Sequence, residues 1–323
     1  ATLHNEDEIN RKDIRIGDTA VIERAGDVIP HILSVDIQKR LKDSKKFIFP
    51  KNCPSCGSET IKEFNKVTKK VDAVRRCSSE GYYCEKISIE KLKHFVSKEA
   101  FNIDGFGKKI VESFWSLKLI KFPHDIFSLN YEKIKNLEGW GNLSVSNLKY
   151  AIENSKKISL ERLIYSLGIR HIGLENAKLL AEHLKSPENF FKLSNKININ
   201  ELSIIDGIGE TQIKSIGTFF SNHQNIDVLL KLKKILNIKN IQKINNSGKL
   251  KNMTFMFTGK LIGISRAEAK SIIEQNSGKI INNVNKKLDY LIIGEKPTTR
   301  KVKSAKEFKI KVISQEEWQR MLE

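Results

Sequence analysis

Short alternating runs of apolar and polar residues dominate the first fifty positions. The runs at 19–24 and 32–37 predict two β-strands, and Gly26-Asp27 predicts the turn between them. Before them, Asn5 and the three acidic residues that follow predict a short helix, because asparagine accepts bonds from free amides and acids suit the positive helix end. Fifty residues supply too few strands for a closed barrel, so we expect this segment to complete a sheet that begins upstream of it.

The pattern of apolar positions then divides the rest of the chain into three further segments. Residues 47–88 contain all four cysteines, residues 89–240 show helical spacing broken by glycine turns, and residues 250–323 alternate between strand and helix patterns. A polar stretch at 241–249 predicts a flexible linker before the last segment. The predicted fold class is therefore multidomain, with a partial β-barrel, a small cysteine-rich finger, an all-α domain and an α/β domain.

The last segment has a clear alternation of elements. Its pattern predicts the order βαββαβα, with Ser265 and Ser314 opening the first and last helices as capping boxes. Trp318 lies on the apolar face of the last helix, so we expect it in the core. The predicted strands are Thr254–Thr258, 279–284, Tyr290–Ile293 and 311–313, and the predicted middle helix is 301–308.

Composition adds a strong basic excess. The 323 residues include 57 Lys and Arg against 38 Asp and Glu, a net charge of +19. An AT-rich genome favours Lys, Asn and Ile and would produce such an excess without selection for binding. The excess is uneven, however: residues 1–50 hold 9 basic and 9 acidic side chains, whereas residues 241–323 hold 17 and 8. We therefore expect a polyanionic partner.

The same composition excludes other classes of protein. An apolar content of 39% is enough to build folded cores, which argues against a disordered chain. No run of about 18 apolar residues occurs, so we expect no membrane contact. No charged and apolar leader opens the chain, which favours a cytoplasmic location over export.

The four cysteines form two close pairs. Cys53 and Cys56 stand in a Cys-x-x-Cys knuckle with a proline and a glycine that favour a tight turn, and Cys77 and Cys84 follow. Tetrahedral Zn²⁺ takes four thiolates from two such turns. Two disulfides would require export, and a redox Cys-x-x-Cys would require a βαβ context that is absent here. We predict one structural zinc ion whose four thiolates leave no open catalytic position.

A Gly-x-Gly unit recurs four times in the helical segment. The second glycines fall at 107, 141, 173 and 209, so the spacing is 34, 32 and 36 residues. A regular period of this length indicates repeated supersecondary units, each predicted to be a helix, a tight hairpin and a second helix. The third unit is degenerate, with His171 in place of its first glycine.

Turns of this kind suit a phosphate group. Glycine lets a partner approach the backbone closely, and its N–H groups together with the following helix N-terminus form an anion site. A nucleic-acid phosphate fits such a site, and the contact positions a protein on a duplex without reading bases. The alternative is an ordinary turn that only packs two helices together.

A second phosphate pocket is a candidate in the last segment. Thr258 and Gly259 end its first strand, and Arg300 or Lys301 could hold a phosphate beside them. The alternative is a strand-end turn next to a solvated basic face.

The sequence contains no complete active site. It has no Lys-x-Asp-Gly motif for nucleotidyl transfer, since the nearest run, 287–290, carries tyrosine in place of the glycine. It also has no P-loop for nucleotide phosphates. His4, His31 and His171 are scattered without metal or triad spacing, so we expect packed or surface histidines.

The order of these parts resembles the C-terminal half of bacterial NAD-dependent DNA ligases. Residues 1–5, 7–9, 11–18 and 24–30 resemble the OB-fold signature of that family in a long, nearly gapless run. The later segments follow the family order, so the resemblance covers essentially the whole chain. It implies the C-terminal part of an OB-fold domain at 1–46, a four-cysteine zinc finger at 47–88, a helix-hairpin-helix domain at 89–240 and a BRCT domain at 250–323.

The resemblance implies an enzyme that seals nicks in duplex DNA during replication and repair. In this family a lysine takes AMP from NAD, the AMP passes to the 5′-phosphate of the nick, and the 3′-hydroxyl displaces it, with magnesium or manganese assisting. That lysine lies in an adenylation domain that this sequence lacks. We therefore expect a monomeric, nucleoid-associated portion that clamps nicked duplex DNA and is inactive alone, with the finger in a structural role.

The resemblance also implies which residues contact DNA. The helical array would close around the duplex through its hairpin glycines, and basic residues of the OB segment would contact it as well. Two of these, Arg15 and Arg24, could instead pair with Asp18 and Glu23. The implied DNA contacts are Arg11, Lys12, Arg15, Arg24, Gly105, Gly107, Lys108, Gly139, Gly141, Gly173, Gly207 and Gly209.

The sequence departs from the family pattern in three places. The loop at 78–83 between the last two cysteines is longer, the third hairpin lacks one glycine, and Thr-Thr-Arg-Lys at 298–301 replaces a Gly-Ser-Lys-like turn. Two other hypotheses remain. A DNA-binding scaffold or repair adaptor would bind intact and nicked duplex alike, and a decayed gene remnant would expose a sheet edge and be poorly soluble.

Overall fold

The chain forms two compact units, Ala1–Ile87 and Ser88–Glu323. The predicted turn at Gly26-Asp27, the predicted cap at Ser265 and most of the predicted linker at 241–249 lie outside the described residues. Among the described residues, no helix has the length and apolar character needed to cross a bilayer. The computed structural model describes residues 1–23, 29–65, 69–194, 199–239, 248–264, 266–281 and 283–322.

The first unit opens with the predicted helix and strand pair. Helix α1 (Glu6–Arg11) is capped by Asn5, whose side chain accepts bonds from the amides of Asp7 and Glu8, and it buries Ile9. Strands β1 (Ala20–Glu23) and β2 (His31–Val35) pair antiparallel, with a register shift at the middle of β1. Both strands leave most of their side chains exposed.

The cysteine-rich segment of this unit is built from very short strands. Their pairing is antiparallel, β3 with β6 and β4 with β5. Its ties to α1 are ionic: Lys62 Nζ lies 2.7 Å from a carboxylate oxygen of Asp7, and Arg75 Nη2 lies 3.1 Å from one of Glu6. The strands are β3 (Thr60–Ile61), β4 (Phe64–Asn65), β5 (Lys70–Val71) and β6 (Arg76–Cys77), and a 3₁₀ turn at Ile37–Lys39 precedes them.

The second unit begins with the helical array that the sequence predicts. Buried leucine, isoleucine and phenylalanine side chains form its core, with Leu92, Phe95, Phe114 and Leu163 fully inaccessible. Two short strands, β7 (Lys157–Ser159) and β8 (Asn237–Lys239), pair in parallel across the array. Its helices are α2 (Glu85–Phe95), whose first three residues belong to the first unit, α3 (Lys108–Ser116), α4 (Tyr131–Lys135), α5 (Asn142–Ser155), α6 (Leu160–Ser166), α7 (Leu174–Leu184), α8 (Pro187–Phe191), α9 (Glu210–Ser221) and α10 (His223–Ile235), with 3₁₀ turns at Pro123–Ser128, Lys192–Ser194 and Glu201–Ile204.

The last segment folds in the predicted order βαββαβα. Its four strands are parallel and lie in the order β10-β9-β11-β12. Two strands have their predicted bounds, whereas the strand predicted at 279–284 ends after two residues. The elements are β9 (Thr254–Thr258), α11 (Arg266–Gln275), β10 (Lys279–Ile280), β11 (Tyr290–Ile293), α12 (Thr299–Glu307), β12 (Lys311–Ser314) and α13 (Gln315–Arg320).

The core of this domain confirms the expectation for its tryptophan. Trp318 is fully buried, and its ring packs edge-on against Phe257 at 5.4 Å between centroids. The predicted capping box at Ser314 is also present, since its side chain accepts the amide of Glu317 while the Glu317 carboxylate accepts the amide of Ser314. The local signal at Ser314 therefore places the start of the last helix correctly.

Candidate metal centre and nucleic-acid interface

The structure brings the four cysteines together. The sulfur atoms of Cys53, Cys56, Cys77 and Cys84 all lie within 4.8 Å of one another, and none forms a disulfide. The Cys53–Cys84 sulfurs are 4.0 Å apart and the Cys56–Cys77 sulfurs 3.5 Å apart. A tetrahedral ion with Zn–S bonds of about 2.3 Å requires sulfurs about 3.8 Å apart. The donor set therefore fits one tetrahedral, thiolate-binding ion.

The main chain around the first knuckle is shaped for this arrangement. The amide of Gly57 donates to the carbonyl of Cys53 at 2.8 Å, and Gly57 has φ +75°, a conformation that favours glycine. The amide of Ser79 donates to the Cys77 sulfur at 3.4 Å. An N–H bond to sulfur favours the thiolate over the thiol, so the turns support metal binding as well as position the ligands.

The thiols differ in their readiness to lose a proton. Hydrogen bonds from the side chain and backbone of Ser58 lower the pKa of Cys56 to about 6. Burial raises the pKa of Cys77 to about 12. Metal binding displaces thiol protons, and an ion would supply the positive charge that the partly buried Cys77 thiolate needs.

The four glycine units share one backbone geometry. In each, the residue between the two glycine positions donates its N–H to the carbonyl three residues earlier, which closes a tight turn. The four N···O distances are 3.1 Å for Phe106 to Ile103, 3.1 Å for Trp140 to Leu137, 3.0 Å for Ile172 to Ile169 and 3.1 Å for Ile208 to Ile205.

The first glycine position is left-handed in all four turns. Gly105, Gly139 and Gly207 have φ between +78° and +87°, and His171 adopts φ +59° at the corresponding place. This conformation is strained for most side chains but is tolerated by histidine more often than by bulky residues. The third hairpin therefore keeps the turn although it lacks the glycine.

The second glycine position is the N-cap of the following helix in all four units. Gly107, Gly141, Gly173 and Gly209 precede α3, α5, α7 and α9, and no side-chain bond caps these helix starts. Glycine cannot supply an oxygen to the first free amides, so these N–H groups are available for an acceptor from outside.

The space around the turns separates the fourth hairpin from the others. A Cβ added at a glycine position of the first three hairpins would meet no atom within 4 Å. In the fourth, a Cβ on Gly207 would lie 3.0 Å from Leu179, and one on Gly209 would lie 3.4 Å from Gln212. The first three turns are thus open to a large partner, whereas the fourth is partly covered.

The charged residues beside the turns also distinguish the first hairpin from the fourth. Lys108 and Lys109 follow the first hairpin directly, and both are exposed. Asp206 and Glu210 flank the fourth, and both are exposed as well. Electrostatics therefore favour a phosphate at the first hairpin and oppose it at the fourth.

The basic residues of the OB segment have different surroundings. Arg11 pairs with Glu8 at 2.7 Å, but its side chain is 68% exposed. Lys12 donates to the carbonyl of Ile32 and has a side chain only 23% exposed. The guanidinium of Arg15 pairs with Asp13, and only its main-chain amide bonds Asp18. Arg24 lies outside the described residues.

Arg40 organises this region, although sequence reasoning missed it. Its guanidinium lies 2.6 Å from Asp13 and 2.8 Å from Asp18, and the side chain is 11% exposed. Hydrogen bonds from Arg15 and then Arg40 lower the pKa of Asp13 to about 2. The partners stand 22 and 27 residues from Arg40 in sequence, and no local pattern joins them.

The candidate phosphate pocket is a closed turn. Thr258 is buried, and its hydroxyl accepts the amide of Thr298 at 3.1 Å. Gly259 has φ +87°, and a Cβ there would lie 2.6 Å from the carbonyl of Glu295. Lys301 lies half-buried in the first turn of α12. The backbone conformation and the close carbonyl therefore explain why glycine occupies this turn. A phosphate-binding role for it stays a prediction.

These features define a class of modular protein. A cluster of four free cysteines, an OB-type strand pair, a helical domain of repeated hairpins and a small parallel α/β domain are together typical of proteins that act on nucleic acid. Models of three known families match the chain in the same order. They are the NAD-dependent DNA ligase OB-fold domain at residues 1–44, the helix-hairpin-helix motif at 162–229 and the BRCA1 C Terminus (BRCT) domain at 245–322.

Several DNA ligases are similar to this chain along its whole length. The chain is 69% identical over 322 residues to a DNA ligase of Pelagibacter ubique strain HTCC1062 and 42% identical over 329 residues to one of Wolbachia pipientis wMel, each match covering all of it. A DNA ligase of Sulfurihydrogenibium azorense is 41% identical over 99% of the chain. The chain is therefore similar over its whole length to part of these DNA ligases, and its first 44 residues match the OB-fold domain of the NAD-dependent ones. It spans 48%, 48% and 44% of these relatives, about half their length.

Proposed function

We propose that this chain is the DNA-clamping portion of a ligase that seals nicks in replication and repair. The observation that carries the proposal is the shared hairpin geometry, in which the helices after Gly107, Gly141 and Gly173 start without a side-chain cap and a Cβ at each glycine would meet no atom within 4 Å. Such amides bind a phosphate backbone without reading sequence, which suits an enzyme that must act at any nick. The ligase relatives support the same role.

In this proposal the cysteine centre holds one zinc ion in a structural role. Four thiolates close the coordination sphere, so no position remains for a water or a substrate. When bound, the ion supplies the positive charge that holds the thiolates together. The ties of Lys62 and Arg75 to α1 would then pass this rigidity to the OB segment of the same unit.

The remaining family expectations concern the whole enzyme. NAD and magnesium or manganese would serve the adenylation step, for which this sequence carries no Lys-x-Asp-Gly lysine. We propose nicked double-stranded DNA as the partner, a monomer as the binding species and the bacterial nucleoid as the place of action. Arg11 and Lys108, both exposed, are the strongest side-chain candidates for phosphate contact.

Binding measurements on the 323-residue chain test the proposal. Fluorescence anisotropy would compare a nicked duplex with an intact duplex of the same sequence across a series of salt concentrations. We expect the nicked duplex to bind more tightly, and the logarithm of both affinities to fall linearly with the logarithm of salt concentration as phosphate contacts are lost. Absence of duplex binding at low salt would overturn the proposal.

A scaffold or repair adaptor is the second candidate, because the open turns at Gly107, Gly141 and Gly173 would serve it equally well. Such a protein would grip duplex DNA through the same hairpins but would have no use for a nick. Equal affinity for nicked and intact duplex, with a normal salt dependence, would support it over the ligase portion.

A further inference from the structure

Helix α11 of the BRCT domain is partly shielded on the face turned away from the domain core. One face packs into the domain core through Ala269 and Ile273, which are fully buried. None of its other residues with a described side chain is exposed, including the charged and polar ones. By contrast, α12 leaves Arg300, Lys303 and Lys306 exposed, as is usual for a surface helix. Another part of the second unit must therefore lie against the polar face of α11.

That part is the helix-hairpin-helix array. Three residues of α11 spaced three apart contact it: Glu268 pairs with Lys239, Ser271 donates to Glu161 at 3.0 Å, and Glu274 lies 2.9 Å from Lys178. Residues three apart lie on one helix face, so the contacts form a continuous strip. The charge of Glu268 also opposes the burial that lowers the pKa of Arg162 in the array.

The docked position brings the BRCT domain to the first hairpin. Lys260, directly after the Gly259 turn, has its Nζ 3.7 Å from a carboxylate oxygen of Asp104. Asp104 directly precedes Gly105, so its negative charge stands beside a turn that would receive a phosphate. A lysine at this distance offsets that charge. The glycines of the hairpin remain open, so docking leaves the turn accessible.

We propose that the BRCT domain docks on the helix-hairpin-helix array through the polar face of α11 and supplies Lys260 to the phosphate-binding surface of the first hairpin. The DNA-binding part of this inference rests on the proposed function, whereas the docking part does not. The contacts are ionic and partly exposed, so the docked state is weak and high salt releases it.

Zero-length carbodiimide cross-linking followed by mass spectrometry tests the docking. This reagent joins an amine to a carboxylate only when they are in contact. We expect cross-links between Lys178 and Glu274 and between Lys239 and Glu268 at low salt, and a severalfold loss of both at about 1 M salt. The pair Lys93 and Glu112, 2.7 Å apart within the array, is the internal control.

Charge reversal at one pair makes this test specific. Glu274→Lys should abolish the Lys239–Glu268 cross-link, because like charges at positions 178 and 274 repel the domain. Adding Lys178→Glu should restore it, whereas Glu307→Lys on exposed α12 should leave it unchanged. Control cross-links without either interdomain cross-link would overturn the docking.

Duplex affinity tests the role of Lys260. We expect Lys260→Ala to weaken binding of nicked duplex about twofold to fivefold, in the range of one exposed ionic contact. Adding Asp104→Asn should recover most of that loss, and Lys306→Ala is the matched control. An unchanged affinity in Lys260→Ala, with normal binding by the unmodified chain, would overturn the role of Lys260 while leaving the proposed function intact. No duplex binding by the unmodified chain would overturn both.

Discussion

Arg40 holds two aspartates of the first unit at once. Its fork-shaped guanidinium donates to Asp13 and Asp18, and a lysine, with one compact charge, cannot match both carboxylates in this geometry. We expect Arg40→Lys to lower the melting temperature of the first unit by a few degrees, measured by circular dichroism or scanning calorimetry. Lys39→Arg, at the neighbouring exposed position, is the control. An unchanged melting temperature would mean that the paired charges contribute nothing.

The same aspartates make the first unit sensitive to acid. Because the folded-state pKa of Asp13 is about 2, below its unfolded value, its contribution is fully present above the unfolded pKa of about 3.9. It is lost as the pH falls through the folded value. We expect stability to decline between about pH 4 and about pH 2, and less steeply in Asp13→Asn, as followed by denaturant unfolding at each pH. Identical declines in the two proteins would contradict this account.

Replacement of one cysteine should be enough to abolish metal binding. We expect Cys53→Ser to lower the zinc content from one ion per chain to none, to unfold the finger and to weaken DNA binding. Elemental analysis and duplex titration measure the two effects. Ser55→Ala, an exposed change within the same knuckle, should alter neither. If Cys53→Ser kept both its zinc and its DNA affinity, the zinc assignment would fail.

At the scale of the element, one substitution in the first hairpin should change DNA binding and protein stability in opposite directions. A serine at Gly107 would bond the free amides of α3 itself and so compete with a phosphate, at a φ of −75° that any residue adopts. We expect Gly107→Ser to raise the free energy of unfolding by a few tenths of a kcal/mol and yet to weaken duplex binding severalfold. Gly209→Ser at the acidic fourth hairpin should leave binding almost unchanged.

Substitution of the first glycine of the same hairpin should instead lower the stability of the protein. Gly105 has φ +78°, so Gly105→Ala should cost about 1–2 kcal/mol of stability because a Cβ is strained there. Chemical denaturation measures this cost. An unchanged free energy of unfolding would show that the turn rearranges easily. The turn would then not hold the phosphate-binding amides in a fixed position.

The elements themselves were largely predictable from local signals. The four hairpin turns, the Asn5 cap, the Ser314 box and the strand at Tyr290–Ile293 follow from short-range chemistry that the sequence displays. The third hairpin was harder to judge, because nothing local announces that His171 will adopt a left-handed backbone. The strand predicted at 279–284 stops early because β10 pairs with β9 over only two residues.

At the scale of the molecule, prediction from sequence reaches its limit at long-range pairs. The bond of Arg75 to Glu6 spans 69 residues, and the pairing of Glu274 with Lys178 spans 96. Neither has a periodic pattern, since each depends on how separately folded elements come together. The same limit applies to the DNA contacts implied for Lys12 and Arg15. The sequence does not show that both side chains have partners within the protein.

Metal removal should affect the whole first unit. The finger is joined to α1 by Lys62 and Arg75, so its loss removes partners from two acids of that helix. We expect a strong chelator to raise amide exchange in α1 as well as in the finger, measured by mass spectrometry. Exchange in Lys108–Ser116 should stay constant. If α1 kept its protection in the chelated protein, the finger and the helix would be independent folding units.

The hairpins also bear on how this protein can evolve. The anion-binding groups proposed for them are peptide amides, which every residue except proline carries. Mutational pressure that shifts a genome towards lysine, asparagine and isoleucine can therefore rewrite the side chains around each turn without erasing its chemistry. Selection would then act mainly on the few positions where the main chain turns left-handed, and His171 shows that a residue other than glycine can hold that conformation.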